Sequence, residues 1–159
     1  MRALLLVLLL AACATSREAG SGSGSGTLAL KSYANAAAPP VTYSVGNGVI
    51  SSSNLDLRLD QDCIRGSMRR NPVQLCKDPA NPNRWNGDSG DFTAIVSPDG
   101  KSVNVNGFLY LGSSLRQADI SQVLPIGEGP AWDEMRKNPA LLVMATAATD
   151  LEALQRGRR

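Results

Sequence analysis

The sequence predicts an α+β domain, an antiparallel sheet of several short strands with two C-terminal helices packed on it. Three observations lead there. Leu55, Leu57 and Leu59 alternate with Asp56, Arg58 and Asp60, the two-residue period of a half-buried strand. Apolar runs with strand character flank Ser97-Pro98-Asp99-Gly100-Lys101, a hairpin signature. Helical signals gather after Gly129, and strands followed by helices argue against a parallel sheet.

In chain order, residues 1–12 begin with Arg2, continue through the apolar run Leu4–Leu10 and end in Ala11-Ala12 before Cys13. The apolar run falls well short of the ~20 residues a spanning helix needs and fits the core of a signal peptide. Leu10-Ala11-Ala12-Cys13 resembles the lipobox of bacterial lipoproteins. The resemblance implies diacylglycerol on Cys13, cleavage before it, and anchorage through more than one acyl chain, which holds where a single chain is marginal. Ala14 stands where an aspartate would favour inner-membrane retention, so the same analogy implies the outer membrane.

Residues 13–40 read as a flexible tether: Ser-Gly repeats at 21–26, Ala-rich sequence, then Pro39-Pro40. Such a composition offers little apolar surface to offset chain entropy. About 27 such residues have an r.m.s. reach of roughly 30 Å. A single domain is expected over residues 41–156, and residues 157–159 form a basic tail.

Within the domain, Phe92–Val96 and Ser102–Leu111 are the arms of the hairpin, with Gly100 able to take the left-handed turn position. Val103, Val105, Leu109 and Leu111 share one face; the other is polar until it turns apolar at Phe108 and Tyr110, where some cover is expected. A further strand is expected at Gln117–Leu124. Pro130 opens a helix with acids early and bases late, as the helix dipole favours. Asn138-Pro139 breaks and restarts it, and Leu141, Met144, Ala145, Ala148 and Leu151 make the stripe that should lie on the sheet.

Apart from Cys13 the chain has two cysteines, Cys63 and Cys76. In an exported protein two thiols favour a bridge. Folding about Arg69-Arg70-Asn71-Pro72 would set them opposite each other, where bridging geometry is attainable. A redox pair is usually spaced by two residues at a helix start, which this pair does not resemble.

The function classes narrow mainly by exclusion. The chain has no histidine, which removes the commonest general base, zinc ligand and pH switch. Its net charge is +2, yet residues 41–155 carry ten Lys/Arg against thirteen Asp/Glu, and the basicity lies at the termini. That distribution gives no clustered basic face for nucleic acid. Gly87-Asp88-Ser89-Gly90 resembles the nucleophile signature of chymotrypsin-like proteases over those four residues only; Asp91 departs from it, and a serine without a base does not attack.

The segment 78–91 reads as a loop rich in oxygen ligands that calcium would accept, although Asn, Asp, Gly and Pro also make ordinary turns. Trp85 within it fits either an anchor for a partner or a ring folded back on the core. Arg65, Arg69, Arg70 and Lys77 suggest either a basic patch around the cysteine hairpin, meeting anionic lipid or an acidic partner, or a solvated hairpin tip. No catalytic, cofactor or metal constellation emerges. The expectation is a membrane-anchored envelope lipoprotein, a non-catalytic module that binds an envelope protein or polymer with Trp85, Arg69 and Arg70 as contact candidates. The alternative is a small envelope hydrolase using paired carboxylates or Ser89.

Overall fold

The computed structural model describes residues 25–111 and 116–157. The leader, Cys13 and the basic pair Arg158-Arg159 lie outside the described residues. Within them run ten strands: β1 (Gly26–Leu30), β2 (Val41–Gly46), β3 (Val49–Ser51), β4 (Leu55–Asp60), β5 (Cys63–Met68), β6 (Asn71–Asp78), β7 (Asn81–Gly87), β8 (Gly90–Val96), β9 (Ser102–Leu111) and β10 (Arg116–Pro125). Two helices follow, α1 (Pro130–Lys137) and α2 (Pro139–Arg156). Spatial order equals chain order, and every pairing is antiparallel, so the sheet is one long meander. The antiparallel sheet with helices last is as the sequence predicts, but the sheet dominates.

Tight turns set the registers. Asn47 (φ 53°) and Gly48 (φ 70°) both take left-handed backbone between β2 and β3. This is the arrangement whose twist matches a hairpin, and Asn-Gly is its favoured sequence. Arg69 and Arg70 adopt the same conformation between β5 and β6, with φ of 53° and 69°. That turn aligns Cys63 with Cys76, and a disulfide joins them.

The sheet curls rather than lying flat. In α2, Ala140 through Thr146 are all buried, so the helix is covered on every side over two turns. A helix lying on a flat sheet would bury a single stripe. The stripe Leu141, Met144, Ala145 and Ala148 is inside as expected, joined by Leu142 and Val143 on the opposite side. Leu28, Tyr43, Leu57, Leu75, Phe92 and Leu109, from β1, β2, β4, β6, β8 and β9, share one buried cluster with it. Gly66 and Gly107 sit among these inward positions, where a Cβ would fall 2.0 Å from the Asp56 carbonyl oxygen and 2.2 Å from that of Asp91. Glycine there lets neighbouring strands approach and the sheet coil.

Two expectations are corrected. Residues ahead of Val41 also belong to the folded unit: β1 pairs with β2 from Gly26 opposite Val45 to Leu30 opposite Val41. Leu28 and Leu30 are buried, and Asp150 of α2 accepts hydrogen bonds from Ser32 Oγ and the Tyr33 and Ala34 amides. The Ala-rich composition concealed a strand whose support comes from the far end of the chain. Segment 78–91 is likewise no loop. Pro79-Ala80 and Asp88-Ser89 are hairpin turns, and β7 between them is held by neighbours on both sides.

Candidate functional site: a cationic cleft at the helix corner

Asn138 closes α1 by donating its amide to the Glu134 carbonyl, and Pro139, with no amide hydrogen, opens α2. The corner turns the end of α1 toward β7 and β8. Between them lies a cleft of about 460 Å³ lined by Lys77, Pro82, Asn83, Trp85, Arg136, Lys137 and Pro139, with Ala94–Val96 behind. The volume falls within the usual range for ligand sites, while the lining is more polar than theirs usually is.

Alternation along β7 points Trp85 inward, and at 2% exposure it is a core residue forming the cleft's floor. Of its two readings from sequence, the ring folded back on the core is the one the structure takes. Lys77, its partner across the strands, sets Nζ 5.3 Å from the ring centroid and 3.5 Å from Asp62 Oδ1. Arg136 is a rigid wall: Nε donates to the Gly100 carbonyl at 2.9 Å, one terminal nitrogen donates to the Gly127 carbonyl, and the other pairs with Asp133. Lys137 is exposed, with no acidic partner among the described residues. The lining thus contains three cations and no carboxylate, while Asp62 and Asp133 partly offset the field from outside it. Cations over a low-dielectric floor attract anionic groups more strongly than they would in open water.

The patch suggested by Arg65, Arg69, Arg70 and Lys77 is dispersed. Arg65 lies 3.8 Å from Asp60. Arg69 donates to the Leu151 carbonyl and Gln155 Oε1, which ties the hairpin tip to the last turns of α2. Arg70 alone keeps its exposed place at the hairpin tip. Arg136 and Lys137, legible in sequence only as bases at a helix end, take the patch's place beside Lys77.

Ser89 is buried in the β7–β8 turn, where its Oγ accepts the Gln74 amide at 3.1 Å and its carbonyl accepts the Tyr110 amide. Asp91 receives a two-pronged Arg84 at 2.8 and 2.6 Å, and Asp78 lies 3.5 Å from the same guanidinium. The Arg84 hydrogen bonds hold the Asp91 carboxyl below its usual range. Two of the carboxylates of 78–91, Asp78 and Asp91, thus face an arginine, and Asn81 Oδ1 accepts the Asn83 amide. Phe108 and Tyr110 stack edge-to-face, half-buried on the outer face, with centroids 5.3 Å apart. No family model, curated protein or solved structure matches this chain.

Proposed function

We propose that the chain is a lipid-anchored envelope lipoprotein whose domain is a non-catalytic binding module, and that the cationic cleft takes an anionic group of another envelope component. The anchor rests on Leu10-Ala11-Ala12-Cys13 and its resemblance to the lipobox. The Cys63–Cys76 bridge suits an oxidising compartment. The observation that carries the binding reading is the grouping of Lys77, Arg136 and Lys137 over Trp85 with no carboxylate in the lining. The Ser89 form of the hydrolase alternative would need Oγ beside a base, whereas it accepts the Gln74 amide.

Two measurements test this. Cys13→Ala should release the protein from membranes, and membrane retention of that variant in high salt counts against the anchor. For the cleft, short-chain polyphosphate is titrated into the full chain in non-ionic detergent, with Trp85 fluorescence as the signal and Trp132→Phe removing the other indole. Saturable quenching is expected, weakening as salt rises. The double variant Lys77→Gln/Lys137→Gln should lose about tenfold in affinity, as expected from removing two attractive charges. Quenching unaffected by that variant overturns the assignment.

A further inference from the structure

The two edges of the sheet are finished differently. β1 is five residues long, and Gly26 lies against Ala131 of α1. β10 is ten residues long, and on the side away from β9 no strand adjoins it among the described residues. Long open edges are normally shortened, charged or covered, because their unpaired amides and carbonyls invite another strand. In β10 only Asp119 and the terminal Pro125 serve that purpose on the described side chains.

The phase of the pairing identifies which backbone groups are free. Ile126 donates its amide to the Lys101 carbonyl at 2.8 Å, and the register continues through Leu124 opposite Val103. Because hydrogen-bonded and non-bonded pairs alternate, the even-numbered residues of β10 bond to β9. The β8–β9 pairing agrees, since Tyr110, an even residue of β9, bonds to Ser89 on the other side. The amides and carbonyls of Gln117, Asp119, Ser121 and Val123 therefore point away from the sheet.

Beside this edge the curled sheet leaves a seam floored by α2. One cleft of about 320 Å³ lies between β10 and α2, with Ile120, Val143, Ala147 and Leu151 among its apolar walls and Asp119 and Asp150 as its charged groups. A second cleft of about 320 Å³ continues the seam where Leu124 and Pro125 meet Leu30–Tyr33 over Leu142. Two exposed apolar side chains stand along it, Tyr33 at 54% and Leu154 at 48%.

An acyl chain could cover the apolar floor but would leave four amides and their carbonyls dry and unpaired, each at a cost of about 1–3 kcal/mol. An extended polypeptide satisfies both, since its backbone pairs with the edge while alternate side chains enter the seam. We infer that β10 accepts an extended segment of a partner polypeptide as an eleventh strand. Its apolar residues alternate toward α2, and a lysine or arginine reaches Asp119 or Asp150. This site is separate from the cationic cleft and stands without it.

The probe is an acetylated, amidated heptapeptide of alternating valine and lysine, added to the full chain in non-ionic detergent. Binding is read by fluorescence anisotropy, and edge pairing by hydrogen exchange at the amides of residues 117, 119, 121 and 123. Slowed exchange at those amides is expected. Ser121→Pro removes one free amide without touching a bond to β9, as prolines on sheet edges do. It should weaken binding by about tenfold and leave the melting temperature unchanged. The same peptide methylated on alternate backbone nitrogens should fail to bind, which keeps the test decisive if Ser121→Pro misfolds. Equal binding of the methylated peptide, or unchanged exchange at the four amides, overturns the inference. So does protection of those amides by self-association without peptide, which would make the occupant a second copy.

Discussion

Cys63 and Cys76 stand directly opposite each other on β5 and β6, Cα to Cα 4.0 Å, with their sulfurs bonded. The bridge closes a short loop, 13 residues apart in sequence. In the chain-entropy picture, its removal costs about 3 kcal/mol by freeing the unfolded chain. The double variant Cys63→Ser/Cys76→Ser should lose that amount in urea unfolding and stay folded at neutral pH. The Arg69-Arg70 turn and the pairs beyond the bridge still hold the hairpin. An unchanged urea midpoint would show that the bridge contributes nothing the turn does not already supply.

The Tyr43 hydroxyl is buried against α2, donating to the Ala145 carbonyl at 3.0 Å and lying 2.8 Å from Thr149 Oγ1. Burial pushes its pKa up from 10.0 to about 12, with smaller upward contributions from Glu152 and Asp150 and an opposing one from Thr149. A raised folded-state value means that the folded protein holds the phenolic proton more tightly. The associated stability is complete below pH 10 and is lost as pH climbs toward about 12. The loss is on the order of 2 kcal/mol. Tyr43→Phe should cost about 1 kcal/mol near neutrality, where hydrogen bonds disappear. It should also flatten the alkaline limb, so that the wild type loses its advantage and the two stability curves cross between those pH values. Parallel limbs in denaturant titrations would rule out Tyr43 as the titrating group.

Features that depend on near neighbours in the chain were legible before the structure. The Leu55–Asp60 alternation, the turn around Gly100 and the alignment of Cys63 with Cys76 each follow from a stretch short enough to carry its own signal. Features held by distant partners were not. β1 depends on α2, since Ser32 and Asp150 are 118 residues apart, and Arg69 reaches Gln155 across 86. β7 carries Asn, Pro, Asn and Arg, which have little strand preference, and is a strand because β6 and β8 impose it. The same distance hid the cleft: Lys77 meets Arg136 and Lys137 only once the helix corner docks on the sheet.

Gly107 shows how the curl is maintained. At φ 143°, a Cβ there would lie 2.5 Å from Phe92 Cα as well as against the Asp91 carbonyl, both parts of the backbone. Neither can yield without separating β8 from β9. Gly107→Ala should therefore cost about 3 kcal/mol, combining backbone strain with overpacking. Gly100 is a useful contrast. At φ 69° it also has left-handed backbone, but its Cβ would lie 3.6 Å from Arg136 Nε, an ordinary contact. Gly100→Ala should cost only about 1 kcal/mol. Equal losses for the two variants in thermal or urea unfolding would mean that the close approach of β8 and β9 matters no more than a turn's preference.

Asp150 holds the segment after β1 against the helix. Its Oδ1 accepts Ser32 Oγ at 2.7 Å, the Tyr33 amide at 2.7 Å and the Ala34 amide at 3.1 Å, so a single carboxylate pins the segment after β1 to α2. Lys31 sits between that anchor and the paired strand, and its side chain is exposed where trypsin can recognise it. Cleavage needs several residues around the bond in extended, unpaired form, so it must wait for local opening. Asp150→Ala removes the acceptor from three donors and should cost about 2 kcal/mol. Because that loss falls on the opening of this segment, cleavage after Lys31 should accelerate by about tenfold or more. Asp150→Asn keeps one acceptor oxygen without its charge and should fall between the two. Were residues 26–40 a tether, trypsin would cut after Lys31 at the same fast rate in all three proteins.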